Sequence, residues 1–282
     1  MRVLAAGLAA VVLAGTAAAG VSLDASRYLI NQRNSGAGFH EPGRAASPGL
    51  TAWAILGLRA AGHCPTQSGD YLKGKPYPTA TDLELRILAL DALRSRCAFN
   101  VDLSGQVAQL QRLKKANGRI GKNVNSTIWG ILALRATGRS VGRKPVAYVK
   151  KQQRPSGGWS WAAGGKADSN DTAAALQALR SVGVGRHTKI VNRAVRYLRS
   201  LQNPNGGFEL TAGRGSDTQS TAWAIQGLLA AGRSPGKAAF GYLKRMQRAN
   251  GSFRYNARYV TTPVWVTSQA LAAWSRKTFP LK

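Results

Sequence analysis

Carboxylic acids are the residues of this chain best placed to do chemistry. Asp168 and Asp171 frame the segment DSNDTAAAL, and Asp217 occupies a similar place before a second threonine-containing run. A carboxylic acid can donate a proton to a bound molecule, whereas the amide of Asn170, between the first two acids, has no proton to release near neutral pH. The same aspartates suit the start of a helix near Thr172, where a carboxylate caps free backbone N–H groups. Capping is the simpler of the two roles.

The sequence contains no pattern typical of metal or nucleophilic chemistry. A catalytic or structural zinc ion needs at least three converging protein ligands, and His40, His63 and His187 are scattered along the chain. No zinc-protease, serine-hydrolase or phosphate-loop motif occurs. We therefore predict neither a metal ion nor a cofactor.

The N-terminus and the cysteines both indicate an exported protein. A basic residue precedes an apolar run over residues 3–14 and small residues at 17–19, which predicts a cleaved signal peptide over residues 1–19. The alternative is an ordinary buried N-terminal helix. The apolar run is too short to span a bilayer. In an oxidising compartment the only two cysteines, Cys64 and Cys97, are predicted to form a disulfide.

The chain is strongly basic, with a formal net charge of +29. Such a charge favours anionic partners, for example cell-wall polymers or lipid headgroups. The charges are patterned, however: over residues 191–201 the apolar residues share one helical stripe, while Arg193, Arg196 and Arg199 point away from it. Most charges are therefore expected on solvated helix faces. Export and the lack of a basic cluster interleaved with aromatics argue against a nucleic-acid partner.

The elements that carry these residues repeat along the chain. In a basic, amphipathic phrase, a tyrosine and a closing aromatic are eleven positions apart at Tyr28 and Phe39, Tyr148 and Trp159, Tyr197 and Phe208, and Tyr242 and Phe253. A second, apolar phrase is built on Thr51, Thr81, Thr127, Thr172, Thr221 and Thr267. The last four steps between these threonines are 45, 46 or 49 residues. This period marks an array of one supersecondary unit.

Each repeat has the pattern of a helical hairpin. The first phrase is amphipathic and ends at glycine, as an outer helix would. The second is apolar nearly all round, as a buried inner helix would be. Its last copy is as apolar as the middle ones, without the polar terminal cap that an open solenoid needs. We therefore predict an all-α protein, an α/α toroid of six inner and six outer helices in a closed ring over residues 24–282.

The two phrases together resemble the repeats of a known superfamily. An aromatic, aliphatic residues, Gln, Gly and then Trp or Phe, as in YVKKQQRPSGGW at residues 148–159, resemble the QW repeat of the squalene cyclases and protein prenyltransferases. The resemblance covers residues 24–282 and implies the α/α toroid of that superfamily. It is specific for fold and weak for activity, because cyclases, prenyltransferase β subunits and vitamin carriers share the ring.

The resemblance also bears on chemistry. The segment at residues 168–176 resembles the DxDDTA segment of class II terpene cyclases, whose middle aspartate protonates an alkene or epoxide. Asp168 and Asp171 match the outer acids, and Asn170 stands at the proton-donor position. Prenyltransferases would require a zinc held by Asp, Cys and His, for which the cysteines and histidines are poorly placed. We therefore expect no class II cyclisation.

Parallel inner helices would gather their N-termini at one mouth of the ring. Loops and caps would bring to that mouth the predicted ligand-binding residues Trp161, Asp168, Asp171, Asp217 and Tyr255. Such a site suits a neutral or cationic, largely apolar ligand. Three tryptophans, each two positions after a repeat threonine, are predicted either to line the cavity or to pack between inner and outer helices: Trp53, Trp129 and Trp223.

Three functions are consistent with these patterns. The leading hypothesis is a secreted, non-catalytic toroid that binds a small molecule, similar to the toroid of the cobalamin carriers intrinsic factor and transcobalamin, whose second, β-rich domain has no counterpart in these residues. One alternative is a terpene cyclase or prenyltransferase-like enzyme with an unrecognised acid. Another is a surface scaffold whose basic outer ring adheres to anionic wall or membrane polymers. No transmembrane segment is predicted.

Overall fold

A computed structural model describes residues 19–281 as a ring of helical hairpins. The inner helices are α2 (Pro48–Ala60), α4 (Ala80–Arg94), α6 (Val124–Ala136), α8 (Ser169–Ser181), α10 (Thr218–Ala230) and α12 (Pro263–Trp274). The outer helices are α1 (residues 19–31), α3 (Thr66–Lys73), α5 (Ser104–Arg112), α7 (Arg143–Lys151), α9 (Lys189–Ser200) and α11 (Lys237–Met246). A two-stranded antiparallel ribbon joins β1 (Phe208–Glu209) and β2 (Ser216–Asp217). All but the last residue of the predicted signal peptide lies outside the described residues.

The ring closes between its first and last inner helices. Each inner helix packs on the next, and α12 packs on α2. At this seam a Cβ atom on Gly57 would lie only 2.5 Å from the carbonyl oxygen of Ser268, so glycine is what permits the close approach. In the outer layer, the Gln247 side chain at the end of α11 donates to the carbonyl of Val21 in α1 at 2.9 Å. The predicted all-α toroid is confirmed.

A repeated hydrogen bond explains why the two sequence phrases recur together. The threonine hydroxyl oxygen of an inner helix accepts the backbone N–H of the residue that closes the preceding outer phrase. The bonds measure 2.8–3.0 Å and join Phe39 to Thr51, Ile120 to Thr127, Trp159 to Thr172, Phe208 to Thr221 and Phe253 to Thr267. The four closing aromatics are fully buried. Five hairpins therefore carry this hydrogen bond between their own two helical phrases.

Side-chain caps orient the N-termini of the inner helices. Asp168 accepts the Asp171 N–H at 2.8 Å, and Asp217 accepts the Ser220 N–H at 2.7 Å, which confirms their predicted capping role. The last inner helix differs, because its cap residue makes no such side-chain bond. Instead the Glu41 carboxylate, from the first repeat, accepts two N–H groups at the start of α12 at 2.9 Å each. Glu41 thus joins both ends of the chain at the mouth.

Among the described residues, no helix combines the length and the apolar character needed to cross a membrane.

Glu84 is a buried acid in the wall between α4 and α6. It is fully buried, neither carboxyl oxygen has a hydrogen-bond partner among the described residues, and a Cβ on Gly130 of α6 would lie 3.3 Å from Oε1. Burial raises its pKa well above the ordinary value. The folded protein therefore binds this proton more tightly than the unfolded chain does.

We expect Glu84→Met to raise the free energy of unfolding at neutral pH by about 1 to 3 kcal/mol, because it removes an unsatisfied buried polar group. The pKa of Glu84 is higher in the folded protein than in the unfolded chain. The stability that its bound proton contributes is therefore complete below the unfolded-state pKa and is lost as the pH rises towards the folded-state pKa. Urea denaturation should show the Met variant gaining on wild type as pH increases. Glu84→Gln is the control: it should remove the pH dependence while keeping the polar cost. Equal pH slopes for all three proteins would contradict this assignment.

Candidate ligand site at the mouth of the ring

A cavity of about 400 Å³ opens at the mouth where the inner helices begin. Its aromatic lining is formed by Trp53, Trp129, Trp161, Trp223 and Trp265, and its polar lining includes Asn125, Asn170, Asp171, Gln219 and Gln269. Trp161 and Trp265 stand at the entrance with 60% and 40% of their surface exposed. The cavity is therefore an aromatic cup with a polar side.

Three tryptophans meet on the axis of the ring and form the floor of this cup. The ring centroids of Trp53, Trp129 and Trp223 are 5.5, 5.8 and 5.6 Å apart, and each pair is close to perpendicular. This edge-to-face arrangement is favourable for aromatic rings. The three come from the first, third and fifth inner helices, which gives the floor an approximate threefold symmetry. The sequence predicted that these tryptophans either line the cavity or pack between inner and outer helices, and the structure places them in the cavity lining.

The C-terminal residues close the centre of the ring from the opposite mouth. Phe279 is 3% exposed, and its ring lies 6.2–6.3 Å from each of the three tryptophans. Its backbone N–H donates to the side-chain oxygen of Gln177 at 2.7 Å, and Gln226 donates to the carbonyl of Lys277 at 3.0 Å. Both glutamines are buried on inner helices. The cavity is consequently shallow rather than a through-channel.

Asp171 supplies the carboxylate of the cavity. It is 6% exposed, and its Oδ1 accepts a 2.6 Å hydrogen bond from the side-chain amide of Asn125. Burial raises its pKa, and the Asn125 hydrogen bond opposes this shift. The neighbouring Asp168 has its pKa raised by burial and then by the charge of Asp171. Two close carboxyl groups cannot both ionise easily, so the pair retains a proton to higher pH than an isolated aspartate.

Three of the residues predicted to bind ligand do not line the cavity. Asp168 is used as the cap of α8. Asp217 is buried, and both of its carboxyl oxygens accept hydrogen bonds from Ser220 at 2.7 Å. Tyr255 lies beside Asp217, where burial and that carboxylate raise the pKa of its phenol. Capping occupies the two aspartate side chains, and Tyr255 lies in a loop beside Asp217, although all three residues belong to the same mouth. For the five lining residues a ligand-binding role stays a prediction.

Several lining residues were missed from the sequence, among them Trp265 and Gln269. Gln269 lies two positions after Thr267, the place that Trp53, Trp129 and Trp223 hold after their own threonines. Ala174, two positions after its threonine, also lines the cavity. Applying the same spacing of two residues after the threonine to the second, fourth and sixth repeats would have identified Gln269. Trp265 carries no such signal, because it precedes its threonine.

Gln269 leaves a hydrogen-bond acceptor unused in the cavity wall. The residue is 3% exposed, and its side-chain oxygen has no partner among the described residues. A buried polar atom without a partner costs free energy. A ligand N–H or O–H donor that reached this oxygen would satisfy it. Within residues 19–281 no three His, Cys, Asp or Glu side chains gather closely enough to hold a metal ion.

The sequence of the inner and outer helices also matches a known family. Residues 128–281, more than half of the chain, match the squalene-hopene cyclase C-terminal domain. The chain belongs to this family. Asn170, which lies within the matched segment, lines the cavity beside Asp171. The position that resembles the proton donor of the DxDDTA segment therefore faces the cup but carries an amide. No curated protein sequence matches the chain.

Solved structures with this fold include enzymes. The type II terpene cyclase MstE from Scytonema is 16% identical with a TM-score of 0.72, over 92% of this chain and 98% of that one. A variant of MstE has been solved with geranylgeranyl dihydroxybenzoate, its substrate. A protein from Actinoplanes is 18% identical with a TM-score of 0.69, over 92% and 99% of the two chains. A glycosidase is 11% identical with a TM-score of 0.68, over 93% and 97%. At these identities the likeness concerns the fold alone.

Proposed function

We propose that this member of the squalene-hopene cyclase family is a secreted, non-catalytic binding protein for a small, largely apolar ligand that carries a hydrogen-bond donor or a positive charge. The observation that carries the proposal is the aromatic cup whose wall holds the Asp171 carboxylate and the unpartnered oxygen of Gln269. Export is inferred from the signal-peptide pattern of residues 1–19.

Each side of the cup favours a different part of such a ligand. Tryptophan faces attract apolar groups and cations, and Trp161 and Trp265 at the entrance are free to contact either. The acceptors Asp171 and Gln269 favour a protonated amine over an anion. The tryptophan floor and Phe279 limit the depth, which favours a compact ligand over a long polyene folded within the ring. MstE binds a prenylated aromatic compound, which supports a partly apolar ligand for the shared ring.

We expect octylammonium to bind more tightly than octanol, and octanol more tightly than octanoate, because these probes share a chain and differ in charge. Trp161→Ala should weaken octylammonium binding about threefold to thirtyfold through loss of a cation–π contact. Tyr259→Ala is the matched control, since this residue is 58% exposed but lies outside the cavity. Asp171→Asn should remove the preference for ammonium over alcohol. Isothermal titration calorimetry measures all of these affinities.

Several outcomes would contradict the proposal. One is that octanoate binds as tightly as octylammonium. Another is that Trp161→Ala and Tyr259→Ala lose the same affinity for octylammonium, and a third is that no probe binds. Native mass spectrometry of the protein purified from its own host would then weigh any retained ligand directly.

Proton-initiated cyclisation is the second candidate function. One specific observation favours it: the Asp171 carboxyl lines the cavity, and burial raises its pKa, as a general acid requires. Asn170 at the donor position argues against it. Turnover of squalene or of a linear diterpenyl diphosphate, abolished by Asp171→Asn, would establish this function and displace the binding protein. We expect no turnover by the wild-type chain.

A further inference from the structure

Arginines mark the mouth opposite the ligand cavity. Inner helices α2, α6 and α8 each carry one in the last turn, and its Nε donates to a carbonyl at the end of the next inner helix. These bonds measure 3.0–3.3 Å and join Arg59 to Ala92, Arg135 to Ser181 and Arg180 to Ala230. The Nε–H of each guanidinium therefore binds the neighbouring helix, and Arg59 and Arg180 each also donate from Nη1 to a nearby carbonyl, of His63 and of Val184. The arrangement fixes the position of the cation and leaves other N–H groups for a further partner.

A groove of about 1000 Å³ lies beside two of these arginines, between α7, the loop before it and the end of α8. Arg135 and Arg180 line it from the ring, and Arg143 and Lys150 line it from α7. No acidic residue and no aromatic residue belongs to its lining. Its apolar lining consists of glycine backbone and of alanine and valine side chains, among them Val146 and Val182.

The cations of this groove are not neutralised by neighbouring acids. The chain has 40 Lys and Arg against 11 Asp and Glu, and the two ion pairs found among the described residues lie elsewhere, in α3 and α4. Repulsion from Arg186 adds to burial in lowering the pKa of Arg180. A cleft lined by charges of one sign concentrates the field and attracts counter-ions. The positive charge of the groove is therefore not balanced by acidic residues of the protein itself.

We propose that this groove binds a linear polyanion that carries phosphate groups and no nucleobases. Guanidinium groups pair with phosphate through parallel hydrogen bonds, and four cations spread along one groove suit a chain of phosphates rather than a single ion. The groove has no aromatic platform on which nucleic-acid bases could stack. Its concave shape and valine floor fit a narrow chain better than a flat membrane surface. This site is independent of the cup at the other mouth, and failure of either proposal leaves the other intact.

The test compares two double variants that remove the same charge from different outer helices. Arg143→Gln with Lys150→Gln changes two exposed groove residues on α7, and Lys237→Gln with Lys244→Gln changes two exposed residues on α11. The probe is short-chain inorganic polyphosphate, titrated by calorimetry into the full chain at low ionic strength. The α7 variant should lose affinity by about tenfold or more, and the α11 control by less than about twofold.

Further titrations with other anions decide which chemical class of anion the groove prefers. We expect polyphosphate to bind more tightly than orthophosphate, polyglutamate, oligothymidylate or vesicles containing phosphatidylglycerol. Equal losses for the two double variants would show that net charge alone drives binding and would overturn the proposal. Preferential binding of orthophosphate, polyglutamate, oligothymidylate or vesicles would also overturn it, in each case by assigning the groove to a different partner.

Discussion

Replacing Phe279 with alanine should lower the free energy of unfolding by about 3 to 5 kcal/mol, the cost of emptying a well-packed phenylalanine site. The side chain is 3% exposed and lies against Trp53, Trp129 and Trp223, so its removal leaves a hole at the centre of the ring. The surrounding tryptophans come from three different inner helices, which limits how far the site can collapse. Urea denaturation followed by near-ultraviolet circular dichroism would report both the loss and any loosening of the tryptophan cluster.

The matched control for this experiment is Lys277→Ala, in the same C-terminal segment. The Lys277 side chain is exposed, and the residue is bonded to the ring through its backbone, with its carbonyl accepting from Gln226 and its N–H donating to Ala272. Its change should therefore stay within about 0.5 kcal/mol. Indole added to the Phe279→Ala variant should fill the new hole and raise the melting temperature. A loss below about 1 kcal/mol in the variant would mean that the C-terminal residues do not occupy the ring centre in solution.

Removing the disulfide should have an effect of similar size. Cys64 and Cys97 are joined, as predicted, with their Cα atoms 5.5 Å apart in the turns that follow α2 and α4. Their separation of 33 residues corresponds to a stabilisation of about 3 to 4 kcal/mol on the chain-entropy model. The variant with both cysteines replaced by serine should lose this amount in urea denaturation. Reduction of the wild type should reproduce the loss.

Reductant acting on the double-serine variant is the control, because that protein has no bond left to break and should not respond. Thiol titration of the denatured, unreduced wild type should find no free thiol. Two free thiols, or a variant as stable as the oxidised wild type, would contradict the assignment. Because the bond joins successive inner helices near the mouth opposite the ligand cavity, its removal should leave octylammonium binding unchanged.

The ring was predictable because its determinants are local and repeated. In five repeats the threonine accepts the backbone N–H of the residue that closes the preceding outer phrase, so both partners of this hydrogen bond belong to one repeat. The glycine stops, the caps at Asp168 and Asp217 and the apolar inner runs act over a few residues. Because neither end of the array is polar, the six hairpins can bury their apolar faces only by closing into a ring. For the same reason, the cysteines after two adjacent inner helices had to be neighbours.

Other features depend on contacts between residues far apart in the chain. Phe279 reaches the ring axis only because Gln177 and Gln226 hold the backbone around it, at sequence separations of 102 and 51 residues. No periodicity marks that segment, so the position of Phe279 beneath the tryptophan floor was not foreseen. Asp217 and Tyr255 belong to the expected mouth, but capping and loop packing turn them from the cup, whereas Trp265 and Gln269 turn into it.

The amino-acid pattern therefore determined the repeat, the hairpin, the closed ring and the mouth at which acids and aromatics gather, because each follows from interactions within one hairpin or between adjacent ones. The depth of the cavity, the identity of its acceptors and the unmatched cations of the groove arise from side chains that converge from separate repeats. Their directions depend on how six inner helices pack around one axis. That packing is a property of the closed ring as a whole, and only the tertiary structure decides it.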